Sequence, residues 1–409
     1  MLYYFKFMTD WWGPFRMFGS HLFLLCLGAA IAALVIWIYL PKFYRLMPRD
    51  RGKKFVKQGE ISAGKPTGAG LFIFLLTLPA LLLVLPMDDA LIGMRDFAWA
   101  TPNKQWGVVL CLFAAMLTGW YDDKSDKPWG RTKKGLLDAA VCIATALIMC
   151  GFYQTKTTVL EVGGEIGTFK EVTGWGLQNV KIWLPFTKTV FDLPWWGYVL
   201  VATPVLWLSM NATNCTDGVD GLAGSLTLLT LFTLAIFLYI AVGHTDIARY
   251  LLVPHNPEGA RWAILTVTLG GAVAGHLWHN AEPSNVLMGD AGSRALGLLV
   301  GVAALACGNP LLIFVVAPIV LVNGGTGLLK ILLLKMLAKM DFDITKPQTE
   351  KASSQCWAVR ALHSVRFPLH DHFKYNIKPG WSNAQVLMRF ILIQALLMPI
   401  LLVLFLKIR

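Results

Sequence analysis

Residues 195–242 read "WWGYVLVATPVLWLSMNATNCTDGVDGLAGSLTLLTLFTLAIFLYIAV". Two apolar runs flank a polar insert, "NATNCTDGVDG" (211–221), which carries two asparagines and two aspartates. A backbone in lipid must satisfy its own hydrogen bonds, and a helix of about 20 mostly apolar residues does so while crossing the hydrocarbon. The runs therefore predict two membrane helices, and the insert predicts a turn between them at a membrane face. Acids placed at the mouth of such helices ask for a chemical reason.

The rest of the chain follows the same pattern. Of its 409 residues 56% are hydrophobic, and the mean hydropathy of +0.57 excludes an ordinary soluble domain. Ten segments are apolar enough to cross: roughly 20–40, 69–86, 106–121, 136–153, 195–210, 221–242, 262–279, 294–307, 311–334 and 388–407. The ninth holds Pro318 and the Gly324, Gly325, Gly327 cluster, which predicts a kink or break. The first run is too long for a secretory signal core and is read as a membrane helix. Seven scattered cysteines without a CxxC pair suggest neither disulfides nor a metal site. The net charge of +12 belongs to loops and anionic lipid rather than to nucleic acid.

Lysine and arginine crowd the loops after the first, third and ninth segments. The positive-inside rule then places these loops in the cytoplasm and both termini outside. The expected fold class is an all-α polytopic membrane protein with about ten transmembrane helices. It forms one domain over 1–409, with an external hairpin insertion at about 154–194 and a cytoplasmic His-containing loop at about 335–387.

With that topology, "GWYDDKSDK", "NATNCTDGVDG", "WHNAEPSNVLMGDAGS" and "FPLHDHFKYN" all fall on the cytoplasmic side, which implies one shared cleft. Asp122 and Asp123 are adjacent, Asp217 and Asp220 are three apart, and Asp290 precedes an apolar helix. Such a set repels itself unless a cation joins it, and oxygen-only ligands point to Mg²⁺ or Mn²⁺ serving a phosphate substrate. Plainer readings stand beside this one: a solvated helix end for Asp122 and Asp123, a turn for Asp217 and Asp220, and a helix cap for Asp290 and Asn280. His370 and His372 lie in a basic loop suited to phosphate, or are ordinary surface histidines. "SAGKPTGAG" (62–70) lacks P-loop spacing but can set Lys65 over a phosphate.

Together "PTGAG", "YDD", "KGL", "NATNCTDGVDGLAG", "WHNAEPSNVLMGDAGSRALG", "FPLHDHF" and "GWSNAQVLMRF" resemble the phospho-N-acetylmuramoyl-pentapeptide transferases, within the polyprenyl-phosphate N-acetylhexosamine-1-phosphate transferases. The resemblance spans nearly the whole chain. It implies transfer of phospho-MurNAc-pentapeptide from UDP-MurNAc-pentapeptide to undecaprenyl phosphate with Mg²⁺, giving lipid I and UMP, at the cytoplasmic face of a bacterial inner membrane. Membrane lipid and, in a homodimer, a second copy of the chain are further partners it admits. By position, Asp290 would ligate Mg²⁺, with Asp217 beside it, and Asp122 and Asp123 would orient or deprotonate the lipid phosphate. Asn214, Asp217 and Asp220 would line the nucleotide pocket, Asn280 would reach uracil, and His370 and His372 would hold the sugar-phosphate. Lys65, Lys127 and Lys134 would counter phosphate charge.

The chain departs from the family where Asp371 replaces the middle of three histidines and Lys374 replaces an acid. Lys127 corresponds only if one residue is inserted, and Lys65 stands on the other side of its glycine. Leu287 replaces a uracil-stacking aromatic residue. Two rivals remain: a transferase of GlcNAc-1-phosphate or a related sugar, and a secondary transporter with membrane acids as ion sites.

Overall fold

The computed structural model describes residues 1–407, apart from 51, 53–62, 87–103, 126–128, 163–164, 186–188, 341 and 345–355. Each apolar segment of the sequence forms helix. The first four are α1 (His21–Tyr39), α2 (Ala69–Val84), α3 (Lys104–Lys124) and α4 (Arg131–Cys150). The stretch expected as one hairpin is two: β1 (Tyr153–Val162) with β2 (Glu165–Trp175), and β3 (Val180–Trp183) with β4 (Val190–Leu193), both antiparallel. Then come α5 (Trp195–Thr216) and α6 (Leu222–Ile236), where residues 211–216 of the insert continue α5 and only 217–221 make the turn, and a short α7 (Thr245–Leu251). After α8 (Gly259–Asn280) and α9 (Gly289–Ala306), the ninth apolar segment breaks at Ala317–Pro318. It runs through α10 (Ile313–Val316), α11 (Pro318–Val320), a π-helical turn Leu321–Gly325 and α12 (Thr326–Lys339). Short α13 (Trp357–Ser364) and α14 (Leu369–Tyr375) precede the last long helix, α15 (Asn383–Lys407).

Among the described residues, five helical stretches are long and apolar enough to cross a membrane: His21–Phe43, Leu222–Ala241, Gly289–Ala306, Pro318–Lys339 and Asn383–Leu406. Two starts lie earlier than hydropathy suggests. α9 begins five residues ahead of the apolar run at 294, and α4 five residues ahead of 136. In both, the first turns are polar, and in α9 they are covered by protein instead of lipid.

Central to the fold is α9, buried at every residue from Ala291 to Ala306 and packed on α2, α3, α5, α6 and α8. An apolar helix in a membrane protein can face lipid or protein, and the five neighbouring helices make α9 an interior one. Its far end is fastened by the second hairpin: the fully buried Trp183 donates its ring N–H to the Cys307 carbonyl at 3.0 Å and its backbone N–H to Gly308 at 2.9 Å. The second hairpin thus lies at the end of α9 opposite Asp290.

α1 and α8 cross closely. Gly271 and Gly275, four apart on α8, face the backbone of Ala29 and Ala33, four apart on α1. Small residues at this spacing let two helices gain van der Waals contact where apolar side chains gain nothing over lipid. A Cβ on Gly271 would strike the Ala29 carbonyl. Gly271→Leu is expected to cost at least about 1–3 kcal/mol through overpacking, read as a lower thermal midpoint in detergent.

Candidate active site

The carboxylates of three helices meet at the start of α9. Asp123, at the end of α3, accepts hydrogen bonds from the backbone N–H groups of Asp290 (3.2 Å) and Ala291 (3.3 Å). It thereby caps a helix from a different element, satisfying two of the orphan donors that every helix start leaves. The approach is close because Gly289 and Gly68 both take positive φ (+73°), and a Cβ on Gly289 would meet Asp123 Oδ2 and the Gly68 amide.

Beside this cap sits a ring of charges. Lys134 bridges Asp122 and Asp290 Oδ2, the latter at 3.1 Å. Asp122 also accepts from the Trp129 amide at 2.9 Å. Arg294, one turn along α9 from Asp290, reaches Asp290 Oδ2 at 3.0 Å, Asp138 Oδ1 at 3.3 Å and Asp122 Oδ2 at 3.6 Å. Asn214 completes the ring: its amide nitrogen lies 3.2 Å from both Asp290 Oδ1 and Ser293 Oγ, and its carbonyl 3.3 Å from Arg294 Nε. That amide orientation is the one its neighbours' donors and acceptors require. The ring has an open side and a closed one. The side chains of Lys134 and Asp290 are 28% and 26% exposed, whereas those of Asp122 and Arg294 are 4% and 1%.

Burial and the nearby Asp290 carboxylate push Asp123 up to about 7, against the helix amides that favour its charged form. Burial alone would pull the Lys134 ammonium down; the Asp290 and Asp122 carboxylates outweigh it and hold it above the ordinary lysine value.

Two further groups adjoin the ring. Lys65 donates to Ser284 Oγ (3.0 Å) and pairs with Asp220 (3.5 Å), whose Oδ2 also accepts from the Ser284 amide at 3.1 Å. Asn280 ties this group together. Its carbonyl accepts from the Gly221 amide and its NH₂ donates to Val286, both at 2.8 Å, so both ends of this buried amide are engaged within the chain. Leu287, half-buried, is strapped by backbone bonds to Pro66 and Ala69. In the second group, the buried His370 donates its backbone N–H to Asn323 Oδ1 at 2.9 Å, its ring Nδ1 lies 3.2 Å from the same oxygen, and its Nε2 faces Gly218. His372 accepts from the Arg366 amide at Nδ1 (3.3 Å), which puts its proton on Nε2, and Asp371 pairs with Arg366 at 3.5 Å. Asp217 is the half-buried residue that ends α5, three after Asn214. Lys127 lies outside the described residues.

The described residues that sequence singled out are thus gathered at one end of the bundle. It missed Asp138, Ser293, Asn323 and Arg294. A signal existed for two of them: Asp138 and Arg294 each put an isolated charge into an apolar run, four residues after Lys134 and Asp290 respectively.

The Glycosyl transferase family 4 model matches residues 105–308, which hold α3 through α9 and the charged ring. The phospho-N-acetylmuramoyl-pentapeptide-transferase of Treponema pallidum, from strain Nichols and equally from a second strain, is 38% identical over 401 residues, covering 97% of this chain and 93% of that protein. This chain belongs to the phospho-N-acetylmuramoyl-pentapeptide transferase family. The enzyme of that name from Methylacidiphilum infernorum is 28% identical over 407 residues, with 95% of each chain covered.

For a transferase of this family the ring also answers whether magnesium suits the site. Of the ring's oxygen donors the Asp290 carboxylate opens to the cleft, a ligand type that a hard divalent ion prefers. Among the described residues no three His, Cys, Asp or Glu side chains form a metal cage.

Because the Asp123 carboxyl is raised, the folded state holds a proton that the unfolded chain has lost between about pH 4 and 7. Its contribution to stability therefore falls as pH rises through that window. Asp123→Asn, which carries no such charge, is expected to gain on the wild type from pH 4 to 7 when chemical unfolding is followed in chelator; a constant difference would contradict the shift.

Proposed function

We propose that this transferase moves phospho-MurNAc-pentapeptide from UDP-MurNAc-pentapeptide to undecaprenyl phosphate, producing lipid I and UMP. The observation that carries the reading is the convergence of Asp122 and Asp290 on Lys134, with Asp123 seated on the Asp290 amide and Asp290 and Lys134 opening outward together. The names of its relatives supply the transferred group. In the same proposal all ten apolar segments cross a bacterial inner membrane, both termini are external and the ring faces the cytoplasm, where the basic loops lie.

The reaction is an in-line displacement. An oxygen of the lipid phosphate forms a bond to the β-phosphorus of the donor, and the bond from that phosphorus to the UMP oxygen breaks. Asp290 and Asp217 are the residues that would hold magnesium, which when bound would neutralise charge on the diphosphate and on departing UMP. Lys134, already the most exposed cation of the ring, turns from the carboxylates to the phosphates. Asp123, poised near neutrality, takes a proton from the lipid phosphate where one is present, and Asp122, held by Lys134 and the Trp129 amide, keeps the acceptor oriented. Asn214 fixes Asp290 Oδ1. Lys65 and Asp220 border the nucleotide end, where Asn280 acts through the loop it clamps and Leu287 offers an apolar edge in place of an aromatic ring. His370 anchors its loop on Asn323, leaving the half-buried His372 to meet the sugar-phosphate.

In purified protein, Asp290→Ala is expected to lower UMP release at least about 100-fold while the protein still elutes as a folded species. Wild-type rates in that variant would remove Asp290 from the chemistry. UDP-MurNAc-pentapeptide should support turnover and UDP-GlcNAc should not; the reverse preference would assign the chain to a GlcNAc-1-phosphate transferase.

A further inference from the structure

Arg294 and Asp138 have no part in the reaction as derived so far, and both are almost wholly buried. Their placement is unusual for a mere structural pair. Lys134 and Asp138 stand four apart on α4, Asp290 and Arg294 four apart on α9, so charges alternate in sign around two facing helix turns: Lys134, Asp290, Arg294, Asp138. All three guanidinium nitrogens are committed. Nε faces the Asn214 carbonyl, one terminal nitrogen faces Asp138, and the other faces Asp290 and Asp122. At 1% exposure Arg294 cannot touch substrate.

We infer that Arg294, anchored from beneath by Asp138, is a positioning residue of this transferase: a fixed counter-charge that holds the Asp290 and Asp122 carboxylates in place and so releases Lys134 to phosphate. The inference rests on the proposed reaction. Asp122 and Asp290 share two cations, one exposed and one buried. When Lys134 swings to a phosphate, Arg294 alone separates the two carboxylates. A guanidinium suits the task because it keeps its charge when buried and its planar fork serves several partners at once. A buried ion pair is a poor device for stability, since apolar residues of similar size often do as well. That contrast gives the test.

Arg294→Leu is expected to lower both the thermal midpoint and kcat, because Asp138 is left buried and unpaired. Arg294→Leu with Asp138→Leu should return the midpoint to within about 3 °C of wild type, since the pair is removed whole, yet keep kcat down about tenfold or more, with the donor KM changed less than about threefold. A purely structural pair predicts that midpoint and kcat recover together, and that result would overturn the inference. Should the double variant fail to fold, Arg294→Lys decides. It keeps a charge but cannot reach Asn214, Asp138 and Asp290 at once, so a kcat between those of wild type and Arg294→Leu, at unchanged KM, supports the role. Wild-type kcat in Arg294→Lys overturns it. UMP release by the wild type is measured first. An inactive wild type refutes the proposed reaction, whereas an active wild type matched by an equally active double variant refutes only the role of Arg294.

Discussion

The site depends on one contact: the Asp123 carboxylate seated on the backbone amides that begin α9. It locks the end of α3 onto the start of the central helix. Once that seat is taken, Asp290 must stand beside Asp122, because each is the chain neighbour of a group in the contact. The seat is possible only because Gly289 and Gly68 bring two backbones within reach of the carboxylate. A helix start also carries partial positive charge, which helps hold an anion where burial disfavours it.

Around that seat the charges are graded by depth. Arg294 and Asp138 are sealed, Asp122 nearly so, and Lys134 and Asp290 reach the opening. Charge in a low-dielectric interior is costly unless it is paired and hydrogen-bonded, and here each buried member has a partner of opposite sign. The grading also separates tasks. Exposed members can exchange partners when substrate arrives, and buried members keep the arrangement that makes the exchange possible.

Much of this was legible in the sequence. The apolar runs gave the helices, Pro318 marked the break in the ninth, and the polar clusters that topology placed on one face are gathered at one end of the bundle. The first turn of α9 was not legible, because "GDAGSR" reads as loop by hydropathy when its polar atoms are satisfied by other helices. Arg294 and Asp138 escaped for the same reason: each looks like an untenable charge until the other is seen across the interface. Asn280 escaped in the opposite sense. Its type and position suggested a hand for the base, but its amide is occupied in holding two loops together. Partner identity across space is the information that a single chain of letters withholds.

Where Trp183 fastens the second hairpin to the far end of α9, the chain also divides into parts that tolerate different histories of insertion and deletion. Strands β1 and β2 branch off before that anchor, so residues gained or lost in them leave the charge ring in register. One residue added between Asp290 and Arg294 would instead rotate the guanidinium about 100° around α9 and away from Asp138.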